Sequence, residues 1–94
     1  MGIVFEWDSR KAKSNYAKHR VSFEEASTVF GDVLSLTIAD SSHARAGEER
    51  FVTIGNSYGG RVLVVVHCDE EESIRIISAR KATRRERKDY EEEP

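Results

Sequence analysis

Ninety-four residues are enough for one domain with a modest core and exclude a second. With 15 Lys+Arg against 17 Asp+Glu the net charge is −2, which excludes a uniformly basic coat for nucleic acid. Hydrophobic residues make up 38% of the chain, and none of their runs approaches the ~20 residues that span a bilayer.

The N-terminus, MGIVFEWD, lacks a basic segment followed by an apolar one, so no signal peptide is expected and the cytoplasm is the expected compartment. Ile3 to Trp7 alternates as a short first strand, and Asp8 then suits the N-cap of a helix running to about Lys18. Ala12, Tyr16 and His19 form its expected inward stripe. Ser22 followed by Glu25 has capping-box spacing and opens a second short helix, buried through Phe23, Ala26, Val29 and Phe30 and stopped at Gly31-Asp32.

Leu34, Leu36 and Ile38 alternate with Ser35 and Thr37, a strand wet on one side. Asp40 to Glu49 is polar and small-residue-rich and reads as an exposed loop. Arg50 to Gly55, Arg61 to Cys68 and Ile74 to Ala79 are strand patterns joined by the turn-like SYGG and the acidic DEEE. Such short links make them antiparallel neighbours, and the unbroken Val62 to Val66 marks a central strand covered on both faces. The single Cys68 ends that strand as packing; one cysteine allows neither an internal disulfide nor a cysteine-based zinc site. The expected fold is α+β, in the order β-α-α-β-β-β-β-α: a curved antiparallel sheet with two N-terminal helices on one face and a basic helix at the C-terminus.

That last segment carries the strongest functional signal. Six of the nine residues from Arg80 to Lys88 are basic and one is acidic, so a chain of net −2 holds +5 here and −7 elsewhere. Thr83 and Glu86 have capping-box spacing, and on a helix Lys81, Arg84, Arg85 and Lys88 fall at i, i+3, i+4 and i+7. Like charges at that spacing repel, so the stripe suits an anionic surface, either a phosphate backbone or an acidic protein; the bland alternative is a solvated face offset by Asp89 and Glu91 to Glu93.

FEWD at Phe5 to Asp8, KHRVSFEEA at Lys18 to Ala26, GEERFVTIG at Gly47 to Gly55 and RIISARKATRRERKDYE at Arg75 to Glu91 closely resemble the BrnT family of type II toxins. The resemblance runs from about Phe5 to Glu92. It implies a single RelE-like domain over residues 1–94 and a ribonuclease that cleaves RNA and inhibits translation. A cognate BrnA-type ribbon-helix-helix antitoxin is the implied partner, allowing a toxin–antitoxin heterotetramer that meets DNA only through the antitoxin. The chain departs from the family where glycine is common after His19 and Arg20 stands here, and where proline is common after Asp8 and Ser9 stands here. The first costs about 1 kcal/mol if that position needs positive φ.

Metal-independent RNA cleavage must deprotonate the 2′-hydroxyl, stabilise charge on the phosphoryl oxygens and protonate the leaving 5′-oxygen. Arginine suits the middle role, which makes Arg75, Arg80 and Arg84 candidates. His67 could exchange a proton or be merely hydrogen-bonded at a strand end; Tyr90 could stack on a base, act as an acid or only anchor the last helix. The catalytic candidates are therefore Arg80, His67, Arg75 and Tyr90, and the RNA-binding candidates are Lys81, Arg84, Arg85, Lys88 and Arg50. His19 suits a helix-end dipole role, and Glu48-Glu49 could pair with Arg50 or serve as base, the ion pair being the default. His43 has no supporting spacing, the three histidines are too scattered for a metal site, and no cofactor is expected. The alternative to an enzyme is a non-catalytic module whose basic helix docks an acidic antitoxin or a DNA-bound partner.

Overall fold

The computed structural model describes residues 2–40 and 48–92. His43, Glu93 and most of the stretch expected as an exposed loop lie outside the described residues. The chain runs β1 (Val4–Glu6), α1 (Ser9–His19), α2 (Phe23–Ser27) continuing into a 3₁₀ turn (Thr28–Gly31), β2 (Leu36–Ala39), β3 (Phe51–Asn56), β4 (Val62–Asp69), β5 (Ser73–Lys81) and α3 (Arg84–Glu92).

Local chemistry explains where the helices begin and end. The Asp8 carboxylate accepts the Arg10 and Lys11 N–H groups at 2.8 and 3.1 Å and starts α1. Arg20 ends it in the left-handed region, at φ 57°, its N–H donating to the Tyr16 carbonyl at 2.8 Å. This is the position at which glycine would be free of strain. Arg20 gains two contacts that offset the strain: its guanidinium lies 5.7 Å from the centre of the Tyr16 ring, and its carbonyl accepts Arg61 Nη2 at 3.2 Å. Ser22 caps α2 by accepting the Glu25 N–H at 3.0 Å, but the capping box is only half closed. Glu25 turns instead to Arg61, at 2.5 and 3.0 Å, and to the Ser57 hydroxyl at 2.6 Å, tying α2 to the β3–β4 turn.

The five strands are ordered β1-β5-β4-β3-β2, with β2 to β5 antiparallel and β1 parallel to β5. The sheet is thus mostly rather than wholly antiparallel. Two helices and three strands separate β1 from β5 along the chain, a connection long enough to admit a parallel pairing. Leu63, Val65, Ile76 and Ala79 on one sheet face pack with Val21, Phe23, Ala26 and Val29, and Phe5, Trp7, Ala12 and Phe30 close the margins. Both N-terminal helices therefore lie on one face. The opposite face carries Val52, Val64, Val66 and Ile77 beneath charged side chains, without a covering helix among the described residues. Val64 is still 6% exposed, because small valines on a central strand are shaded by the longer side chains of their neighbours.

Two expectations about burial change. Leu34 lies in a turn ahead of β2 and is 70% exposed. On α1 the inward stripe is Ala12, Asn15 and His19, and Tyr16 is turned out at 49% exposure. The reason is on β5. β1 pairs only with Ser73 to Arg75, so the β5 edge beyond it needs other partners. Asn15 supplies them: its Nδ2 donates to the carbonyls of Ala79 (2.8 Å) and Val21 (3.0 Å), and its Oδ1 accepts the Ala79 N–H at 3.1 Å.

Asn15→Ala should leave three buried backbone groups unpaired and cost about 3 kcal/mol, lowering the melting temperature by roughly 10–20 °C in a domain of this size. Thermal and urea melts check this. A shift within a degree or two would mean that water replaces the amide.

Candidate functional site

Arg50, Arg75 and Arg80 meet on the sheet face that the N-terminal helices leave open. How Arg75 and Arg80 come to share that face is a matter of register. They are five residues apart on one strand, an odd separation that would point them to opposite faces of regular β-structure. The β4–β5 pairing shifts, however: Val66 faces Ser78 while the next residue, His67, faces Ile76, leaving Ile77 as an extra residue. Arg75 then lies opposite Cys68 and Arg80 opposite Val64, both on the open face of β4.

Each arginine is held by a carboxylate. Glu48 takes Arg50 Nε at 3.1 Å with one oxygen and Arg75 Nη2 at 3.2 Å with the other, so it bridges β3 and β5. Glu86 receives both amino groups of Arg80, at 2.7 and 2.9 Å. Glu86 also accepts the Thr83 N–H at 2.8 Å while Thr83 Oγ1 accepts the Glu86 N–H at 3.1 Å, which closes the expected capping box at the start of α3. One carboxylate therefore both starts the helix and holds the arginine. The Arg80 guanidinium, followed by the Thr83 hydrogen bonds, brings the Glu86 carboxyl from the ordinary 4.5 down to about 2 against the opposing effect of burial.

The arginines line two adjoining depressions. One, of about 380 Å³, lies between Arg50 and Arg80 over a floor of Val52, Val64, Val66 and Ile77, with Ser78, Asp40 and Glu86 at its walls. The other, of about 180 Å³, is lined by Arg50, Arg75, Glu48, Asp8, Lys11, Ile76 and Ile77. Arg50 and Ile77 are common to both. Side-chain exposures of 16% for Arg50, 45% for Arg75 and 41% for Arg80 leave all three guanidiniums in reach of an anion from solvent.

His67 lies on the other side of the sheet and is 1% exposed. It sits between Phe30, edge-on at 4.8 Å, and Phe51, stacked at 5.9 Å. Its Nδ1 meets Asp69 Oδ1 at 2.6 Å, its Nε2 meets Thr53 Oγ1 at 2.7 Å, and Thr37 Oγ1 meets that same hydroxyl at 2.7 Å. Hydroxyl, imidazole and carboxylate in this order have the connectivity of a nucleophilic triad, but Thr53 is 0% exposed and out of reach of any substrate. Burial lowers the His67 pKa below the usual histidine value in spite of Asp69, so the ring is neutral near pH 7 and the chain of hydrogen bonds is a core network.

Tyr90 is an anchor in this structure. Its hydroxyl donates to Asp32 Oδ2, tying α3 to the segment after the 3₁₀ turn. Burial, reinforced by Asp32, pushes its pKa up to about 12, which makes the phenol a poor proton source at neutral pH. Lys81 is the last residue of β5, paired with Leu63, and so does not extend the helical stripe as the spacing suggests. Arg84, Arg85 and Lys88 are on α3 and exposed, without an ion-pair partner among the described residues. The capping signal, read with Lys81 two residues ahead of Thr83, was sufficient to exclude that lysine from the helix. Sequence reasoning also passed over Glu86 as a partner of Arg80 and over Asn15.

Among the described residues no three or more His, Cys, Asp or Glu side chains are grouped to hold a metal ion, and no helix is long and apolar enough to cross a membrane.

A depressed carboxyl pKa contributes stability that is complete above the unfolded value and is lost as pH falls through the folded one. Acid melts should therefore show a loss of stability between about pH 4.5 and 2 that is reduced in Glu86→Gln. Identical acid slopes for the two proteins would remove the Arg80–Glu86 pair from the stability balance.

Comparison with known proteins gives this site a context. Residues 7–86 match the family described as ribonuclease toxin, BrnT, of type II toxin-antitoxin system. Among solved structures, the crystal structure of the Brucella abortus ribonuclease toxin, BrnT, is similar in fold, with a TM-score of 0.68 at 20% identity, covering 88% of this chain and 100% of that one. No curated protein matches the chain.

Proposed function

Because the chain belongs to the BrnT family of ribonuclease toxins of type II toxin–antitoxin systems, we propose that it cleaves RNA on the open face of its sheet, with Arg50, Arg75 and Arg80 as the groups that meet the phosphate. The observation that carries this reading is the register shift at Ile77, which puts arginines from both sides of the shift on one face beside Arg50. β-Bulges commonly re-aim side chains next to active sites. Family membership favours catalysis over a module that only docks a partner.

In this reading the scissile phosphate displaces Glu48 from Arg50 and Arg75, exchanging a carboxylate for a phosphodiester on the same planar donors. Glu48, still beside the phosphate, takes the 2′-hydroxyl proton as that oxygen attacks phosphorus. The guanidiniums hold the charge that builds on the phosphoryl oxygens, and the leaving 5′-oxygen takes its proton from water at this open face. Arg80, freed from Glu86, completes the grip. The reaction needs no metal, because the 2′-hydroxyl is an internal nucleophile. His67 and Tyr90 act through the fold, one as part of the core network and the other by fixing α3.

The same reading makes residues 1–94 one RelE-like domain that works in the cytoplasm, inhibits translation by cutting RNA there and is neutralised by a BrnA-type antitoxin. Arg84, Arg85 and Lys88 extend the positive surface that RNA or an acidic inhibitor would cover, and a heterotetramer with the antitoxin is the assembly expected.

The test is single-turnover cleavage of a labelled RNA in EDTA. Arg75→Ala should slow cleavage roughly 100-fold, the scale for loss of one aimed charge donor, and Glu48→Gln should slow it at least as much and flatten the acid limb of the pH–rate profile. A folded Arg75→Ala protein that cuts at the wild-type rate would move the site off this face.

A further inference from the structure

A second cleft lies away from the arginine triad. It measures about 500 Å³, lies between the β3–β4 turn and α3, and is lined by Arg61, Lys81, Arg87, Asn56 and Tyr90 among others. Lys81 and Arg80 are consecutive on β5 and face opposite ways; Arg87 and Glu86 are consecutive on α3. The β5–α3 junction is therefore a ridge, with the Arg80–Glu86 pair in the depression on one side and Lys81 with Arg87 in the cleft on the other.

The two sides differ in one physical respect. On the open face Arg50, Arg75 and Arg80 are each already held by a carboxylate. In the cleft, the side chains of Lys81, Arg87 and Asn56 have no ion-pair or hydrogen-bond partner among the described residues. Arg61 is committed to Glu25, through Nε and Nη2, and to the Arg20 carbonyl, so it adds a fixed positive wall rather than a mobile donor. Among the described residues Glu91 is the one acid in the lining. Two unpaired cations facing one concave space repel each other without an anion, and neither they nor the amide lose an internal partner when one arrives.

We propose that this cleft is a second subsite for RNA, holding a backbone phosphate of a nucleotide outside the scissile step between Lys81 and Arg87, with Asn56 as a neutral donor. The proposal rests on the reading of the open face as the cleavage site. The ligand class is a single-stranded phosphodiester chain. A strand leaving Arg80 has only the ridge to cross to reach Lys81, the next residue of β5, so one continuous RNA can engage both sides.

The test compares wild type with Lys81→Ala/Arg87→Ala, and with Lys81→Gln/Arg87→Gln as the pair that keeps side-chain bulk. Two substrates are used: a dinucleotide, which fills only the scissile site, and an RNA of about ten nucleotides. The ratio of kcat/KM for the long RNA to that for the dinucleotide should fall about tenfold in both double variants. Binding of a non-cleavable 2′-O-methyl version of the long RNA should show a log K against log salt slope shallower by about 0.7, from one lost phosphate contact on a single strand. An unchanged ratio and slope in either folded double variant would overturn the proposal while leaving the open-face reading intact. A wild-type protein that cuts neither substrate would overturn both. Loss of antitoxin binding with the RNA slope intact would assign the cleft to the inhibitor and sink the proposal.

Discussion

The amide of Asn15 occupies the place of a missing strand. β5 has a β-partner on its outer edge only over its first three residues, and beyond that point the buried N–H and C=O of Ala79 would have no partner. A helix cannot normally pair with a sheet edge, because its own backbone groups are used internally. One asparagine avoids this by offering a donor and an acceptor from a side chain, and its second donor holds the Val21 carbonyl just after the helix. Both N-terminal helices are thereby fixed to one face of the sheet. The other face stays free, and that freedom makes a site there possible.

On that free face the protein manages a local excess of positive charge with two carboxylates. Glu48 and Glu86 hold three guanidiniums in defined orientations, which restricts arginine rotamers before any anion arrives. Exposed ion pairs of this kind contribute little stability. In the proposed reaction their value is positional, since an incoming phosphate would replace a carboxylate on donors already aimed. Glu86 has the further consequence that the first turn of α3 and the orientation of Arg80 are set by one side chain, so motion in the helix and motion in the arginine are coupled.

Several features were legible in the residues. The Asp8 and Thr83 caps, the apolar run of β4 and the positive charge of residues 80–88 follow from short-range chemistry, in which each group needs only neighbours within a few positions. The Arg20 departure was visible only against the family pattern, in which glycine is common at that position, and the structure places the residue at positive φ. The half-closed box at Ser22 was not legible, because Glu25 had a better partner, Arg61, 36 residues away. Tyr16 and Asn15 exchanged roles on α1 for a related reason: the helical period marks a stripe only to within one residue, and an unsatisfied strand edge decided which side chain turned inward.

The candidate site divides along the same line. Residue types and spacing determined that the chain carries arginines suited to phosphate, a basic segment after the last strand and a capped helix beyond it, because charge and capping are properties of the local chain. Tertiary structure alone decided which arginines share a face. The extra residue at Ile77 exists only relative to β4, and it reverses the facing of everything beyond it, so a period-two reading of β5 separates Arg75 from Arg80 where the folded sheet joins them. The same pairing removed His67 from the surface, since its place on a central strand between Phe30 and Phe51 is a fact of packing that no spacing along the chain encodes.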